Sequence, residues 1–296
     1  MKNTEPKVRL WSVLTGLTAI LTVAAIVGNI IANQYATTLN VALNASTYKI
    51  IKGETTGDTE YFKKGFASDE EREAYEAELC ATVEAEGAAL LKNENNALPL
   101  ASGAKVSLFG HGSVDLMYGG TGSGSVDTSK APNLKQALEA QGITINQTLW
   151  DLYSSDSMMS KYSRMTPASI SDTLEANTQY AVNEAPWSAL SSAESSFAEY
   201  GDAAIVVLSR SGGEGADLPS GANGTNDSWI SGQEGDGNYL ALSAEEIELL
   251  QNLKALKDNG TFKNIIVLIN SSNAIELDFL NPAICGEDYG IDAAMW

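Results

Sequence analysis

Two short runs, residues 203–208 (AAIVVL) and 265–269 (IIVLI), limit what this chain can fold into more than any other feature of it. Each is apolar at every position, so neither can turn a face to water. Strands of this kind belong in a sheet covered on both sides, and such sheets are mostly parallel. Parallel neighbours need a crossover, and residues 243–258 supply one. Ser243 and Glu246 form a capping box at its start, and Asn259-Gly260 provides the stop. A third strand is expected at 105–109 (KVSLF), ending in glycine, with helices at 132–141 and 188–200. Ahead of these, Ser68 with Glu71 marks another capping box, and Tyr75, Leu79 and Val83 recur every four residues, the pattern of an amphipathic helix that weakens at Gly87. Residues 152–186 are weakly patterned, and no internal repeat is evident. The predicted body is α/β, a mostly parallel sheet flanked by helices.

A different physics governs the amino terminus. Lys2, Lys7 and Arg9 precede an apolar run at 10–32, and 23 residues of helix reach roughly 34 Å at about 1.5 Å per residue, enough for a hydrocarbon core of about 30 Å. A cleavable signal peptide has a shorter apolar region, about 7–15 residues, and a small-residue cleavage site, so an uncleaved anchor is favoured. The basic foot then stays in the cytoplasm and the remainder faces outward. The expected organisation is a cytoplasmic segment at 1–9, a single-pass transmembrane anchor at 10–32, a stalk at 33–67 and a folded body at 68–296.

Charge removes several function classes. The chain of 296 residues carries a formal −20; without Lys2, Lys7, Arg9 and Glu5, 15 basic residues face 37 acidic ones, a net of −22. Nucleic acid is therefore not an expected partner, because phosphate binding needs clustered Lys and Arg. The two cysteines, Cys80 and Cys285, match no metal spacing. They read as thiols in separate core elements, although one disulfide would be permitted outside the cell. The single histidine, His111, would have to carry alone any Ser-His-Asp triad or multi-histidine metal site, and reads better as a loop residue satisfying local hydrogen bonds. Neither a metal nor an organic cofactor is expected.

In open α/β sheets ligands sit beyond the carboxyl ends of strands, which directs attention to the loops after Phe109, Leu208 and Ile269. The first, GHGSVDLMYGGTGSG, fails as a dinucleotide fingerprint because Asp115 stands where glycine is required, and no lysine follows as in a P-loop. The second, SRSGGEGAD, sets Glu214 between glycines directly after a buried run. That suits a proton donor reaching a substrate held by another surface, with Asp217 able to raise its pKa by like-charge repulsion. The plainer alternative is a solvated acidic loop. Trp229, in a polar Gly/Asn/Asp stretch, can stack on a sugar ring or pin its own loop.

Four segments in order, EGAALLKNENNALPL, KVSLFGHGS with GGTGSG, AAIVVLSRSGGEGADLP and NIIVLINSSNAIELDFL, resemble the α/β sandwich domain of family 3 glycoside hydrolases. The resemblance implies a β-glucosidase-like enzyme hydrolysing terminal β-glycosidic bonds of oligosaccharides with retention. It implies Glu214 as general acid/base and Asp217 as a substrate contact, although Leu218 stands where the family often has Arg; Trp229 is a candidate substrate contact from its polar loop alone. The family's nucleophile is an aspartate of a separate TIM-like barrel, in a Ser-Asp-Trp-like motif that this sequence does not contain. By this resemblance the sandwich precedes the barrel, the sandwich is incomplete at its carboxyl end, and the chain is inactive alone. The alternative is a non-catalytic, membrane-anchored carbohydrate-binding or scaffold remnant.

Overall fold

The computed structural model describes residues 6–43, 45, 65–120, 122–124, 126–164, 181–213 and 239–296. They fall into two units, Met1–Glu73 and Ala74–Trp296.

The first unit opens with helix α1, Pro6–Gln34. Its segment Val8–Gln34 has a mean hydropathy of 2.1 and is long and apolar enough to cross a membrane. Ser12, Thr15, Thr18 and Thr22 each donate to the carbonyl four residues back at 2.8–2.9 Å, so these hydroxyls place no unsatisfied donor on the apolar surface. A short helix α2, Ala36–Ala42, follows within the expected stalk. Helix α3, Asp69–Gly87, starts where the capping signal placed it, with Ser68 Oγ accepting from the Glu71 N–H at 3.2 Å. The Glu71 carboxylate accepts from the Ala67 N–H at 2.8 Å, one residue earlier than a symmetric capping box requires. The apolar stripe of α3 is exposed: Tyr75, Leu79 and Val83 all face outward.

The second unit is built on a six-stranded sheet. Its strands are β1 (Leu90–Asn93), β2 (Lys105–Phe109), β3 (Thr144–Ile145), β4 (Ala203–Arg210), β5 (Ile265–Ser271) and β6 (Ala293–Met295), in the order β1-β6-β5-β4-β2-β3. Every pairing is parallel except β1 with β6 at one edge. The two runs that opened the argument are β4 and β5, registered from Ala204↔Ile265 to Arg210↔Ser271. Both faces are covered, as their composition requires. Ala204, Val206 and Leu208 of β4 join one cluster with Phe109, Leu249, Leu253, Ile265 and Val267, while Ala203 and Ile205 join Val106, Leu108, Ile266 and Ala293 on the other side. Phe109 centres the first cluster, meeting Phe197 and Phe262 edge-on at ring centroid distances of 5.2 and 5.7 Å.

Helices α4 (Leu134–Ala140), α5 (Gln147–Tyr153), α6 (Asp156–Lys161) and α7 (Ala244–Asp258) flank the sheet. Two expectations need correction. The helix expected at 188–200 is two 3₁₀ stretches, Trp187–Leu190 and Glu194–Tyr200. Five serines between 188 and 196 weaken α propensity, and Ser196 spends its hydroxyl on the Ala193 carbonyl three residues back. The cysteines are free thiols that do not both sit in core elements: Cys80 is exposed on α3, and Cys285 is half-buried against the main core cluster. The capping box of α7 is complete: Ser243 Oγ accepts from the Glu246 N–H at 3.2 Å and Glu246 Oε2 from the Ser243 N–H at 2.8 Å. Ser243→Ala should therefore cost about 1 kcal/mol, read as a lower urea midpoint with unchanged slope.

Candidate active site

The carboxyl ends of β2, β4 and β5 lie side by side, so the three loops singled out from sequence meet at one rim of the sheet. The chain leaves β2 through Gly110 at φ 83°, where a Cβ would come within 2.7 Å of the Val207 carbonyl oxygen. Only glycine fits there. It turns into His111, whose N–H and Nδ1 both lie 2.9 Å from Glu184 Oε2, while Glu184 Oε1 accepts from the Ala185 N–H at 2.9 Å. His111 and Glu184 are both buried. The expected local hydrogen bonding of His111 is present on one side of the ring; Nε2 is buried without a partner among the described residues.

Farther along, the loop is tied to its neighbours. Asn270 accepts from the Met117 N–H at 2.6 Å and donates to the Met117 carbonyl at 3.0 Å, and Ser209 donates to the same Asn270 oxygen at 3.3 Å. Asp115, which stands where a dinucleotide fingerprint would need glycine, pairs with Arg164 at 3.0 Å, and Arg164 also donates to the Asp115 carbonyl at 2.7 Å. At Gly120 a Cβ would sit 2.8 Å from the Gly212 carbonyl oxygen, so two glycine backbones pass in direct contact. Gly120→Ala must push the loops apart and is expected to cost about 1–3 kcal/mol, checked by thermal unfolding.

Below the second loop lies a buried ion pair that sequence reasoning missed. Arg210, the last residue of β4, has no exposed surface. Its guanidinium meets Glu246 bidentately at 2.8 and 2.7 Å and donates to the carbonyls of Tyr239, Ala241 and Ser209 at 2.8, 2.7 and 2.9 Å. Burial alone would lower the Arg210 pKa, but the Glu246 carboxylate more than offsets this and the net shift is upward. Tyr239 is buried too. Its hydroxyl accepts from the Ser211 N–H at 2.9 Å and donates to the Ser211 carbonyl at 3.1 Å. Burial, opposed by the charge of Arg210, pushes its phenol up to about 12, so it keeps its proton at any physiological pH. From the loop just after β5, Asn273 donates to the Ser211 carbonyl and Ser272 to the Gly212 carbonyl. The one available signal was a cation closing an otherwise apolar strand, since a buried arginine requires a carboxylate somewhere.

Between the first two loops opens a cavity of about 300 Å³, lined by Asp115, Met117, Tyr118, Arg164, Ser211 and Gly212 among others. It presents hydrogen-bonding groups and an aromatic ring together, the mix that a hydroxylated ligand requires. Burial, and then the charge of Asp115, push the Tyr118 phenol above its ordinary value, keeping it a donor. Glu214, Asp217 and Trp229 lie outside the described residues. Among the described residues, no group of three or more His, Cys, Asp or Glu forms a metal cluster.

Residues 88–290 match the model of the glycosyl hydrolase family 3 C-terminal domain. β-Glucosidase A of Butyrivibrio fibrisolvens is 34% identical over 146 residues, which are 47% of this chain and 15% of that protein. Among solved structures, β-glucosidase 3B from Thermotoga neapolitana in complex with glucose aligns with a TM-score of 0.53 and 22% identity over 76% of this chain and 27% of its own. A β-glucosidase from Paenibacillus barengoltzii aligns at 0.50 and 24% identity over 74% and 21%. The structural likenesses establish a shared fold, and the chain spans well under a third of the length of each of these proteins.

Proposed function

Because the chain belongs to glycosyl hydrolase family 3, carrying its C-terminal domain, we propose that it supplies the general acid/base of a β-glucosidase-like enzyme that removes terminal β-glycosyl residues with retention. Retaining hydrolysis needs two carboxyl groups about 5 Å apart, one attacking the anomeric carbon and one first protonating the leaving oxygen and then deprotonating water. Glu214 is the proton donor, and Asp217 and Trp229 contact the sugar. The nucleophile comes from a barrel domain outside these residues. The observation that supports this reading is the position of Gly212, which lines the cavity just beyond the carboxyl end of β4 and precedes the glycine-flanked glutamate by two residues in sequence. A glucose-bound relative with the same fold supports a β-glucoside as substrate. Helix α1 anchors the enzyme to the cell membrane, with the basic residues inside and the sugar-cleaving body outside.

Purified alone, the chain should leave an aryl β-glucoside intact, and adding the barrel domain should restore turnover. Robust turnover by the isolated chain, abolished by Glu214→Gln, would refute the division of the two carboxylates between domains.

A further inference from the structure

The two arginines at this rim of the sheet differ in what they have left to offer. Arg210 spends all five of its N–H donors inside the protein, so none remains for a ligand. Arg164 does not. Its side chain is 10% exposed and lines the cavity between the first two loops. Nη1 donates to the Asp115 carbonyl at 2.7 Å and Nη2 lies 3.0 Å from Asp115 Oδ2; of five donors, these two contacts leave three without a partner among the described residues. Asp115 lines the same cavity, and its Oδ1 is likewise without a partner among the described residues. A carboxylate oxygen beside guanidinium N–H groups offers acceptor and donors together, which suits a pair of neighbouring hydroxyls, since each hydroxyl both donates and accepts. The carboxylate also opposes the arginine's charge at close range, so an anionic ligand gains little here. Tyr118 completes the set. Its hydroxyl donates to the Pro132 carbonyl at 2.9 Å, which holds one end of the ring, and the residue is 41% exposed where it lines the cavity. Val114, Met117 and Val126 add apolar lining, and the volume of about 300 Å³ is at the small end of ligand sites.

We propose that this cavity binds one neutral pyranose ring, with the Asp115–Arg164 pair taking two adjacent hydroxyls and Tyr118 lying against the apolar C–H face of the sugar. An open-chain polyol carries the hydroxyls but has no such face. The site is formed by residues of this chain alone, so it holds its ligand without a second domain. That the sugar is a β-glucoside rests on the proposed function.

Binding to the purified full chain tests this without turnover. The probes are methyl β-glucoside and sorbitol, titrated by saturation-transfer NMR in a zwitterionic detergent, because glucoside detergents would compete. Methyl β-glucoside should bind with a Kd on the order of 1 mM, and sorbitol at least about 10-fold more weakly. Tyr118→Ala and Arg164→Met should each raise the Kd for methyl β-glucoside roughly 10-fold. Equal affinity for sorbitol, no binding of methyl β-glucoside, or variants that both bind like the parent would overturn the site. Should Arg164→Met not fold, Tyr118→Ala decides alone, since its side chain is partly exposed and its loss leaves the Asp115–Arg164 pair in place. None of these failures touches the glycosidase reading, which turnover by the complete enzyme decides separately.

Discussion

In the complete enzyme, Glu214→Gln is expected to lower kcat/KM for an alkyl β-glucoside by about 10²- to 10⁴-fold, the usual contribution of a positioned general acid. Glutamine keeps the size of the side chain and most of its hydrogen bonding but has no proton to give. The expected effect on KM is small, because the lost interaction forms only as the glycosidic bond breaks. The measurement is steady-state hydrolysis of methyl β-glucoside by parent and variant, with circular dichroism showing the fold retained. A variant within a few-fold of the parent would remove Glu214 from the chemistry. The acid would then have to come from another loop at the same rim, where Asp115 is already committed to Arg164.

The second large effect is on stability. Glu246→Gln replaces the carboxylate facing Arg210 with a neutral amide, leaving a guanidinium of zero exposure without its counter-charge. Breaking one side of a buried pair costs about 3–5 kcal/mol, chiefly because the surviving charge is left desolvated. The same change weakens the cap of α7, since Glu246 Oε2 also accepts from the Ser243 N–H. For a body of this size each kcal/mol moves the midpoint by roughly 2–4 °C, so a fall of roughly 6–20 °C is expected by differential scanning calorimetry. Arg210→Met with Glu246→Leu, which removes both charges, should destabilise less than Glu246→Gln alone. The reverse order would mean that the intact pair is itself a net source of stability here.

The architecture of the body was largely readable from local pattern. β2 lies where KVSLF placed it, and β4 and β5 begin at the residues expected and run two residues farther. That extension matters, because it takes the ladder to Arg210 and Ser271, and polar residues ending apolar runs look like loop. The capping box of α7 was legible because a cap is local: residue, partner and backbone donor lie within four positions. Strand β1 was not, since its four residues are half-exposed and its partner β6 lies about 200 positions away. Helices α5 and α6, of seven and six residues, are too short to establish a period, and both are fixed by Asn146 and Ser155 caps and by tertiary burial. The same limit applies to the site. Glu214 could be proposed from a glycine-flanked motif, but the hydrogen bonds at the end of β4 join Arg210 to Glu246 across 36 positions and Ser211 to Tyr239 across 28. Nothing in a window of sequence indicates which carboxylate a buried arginine will choose.

Rescue of a Glu214→Ala enzyme by azide tests the central claim most directly. Dinitrophenyl β-glucoside still forms the glycosyl-enzyme, because its leaving group needs no proton, but water then attacks slowly without a base. Azide needs none. The account predicts faster turnover with added azide and a β-glucosyl azide product, identified by its anomeric proton coupling in NMR. An α-configured azide, or a variant that hydrolyses alkyl glucosides like the parent and ignores azide, would contradict it.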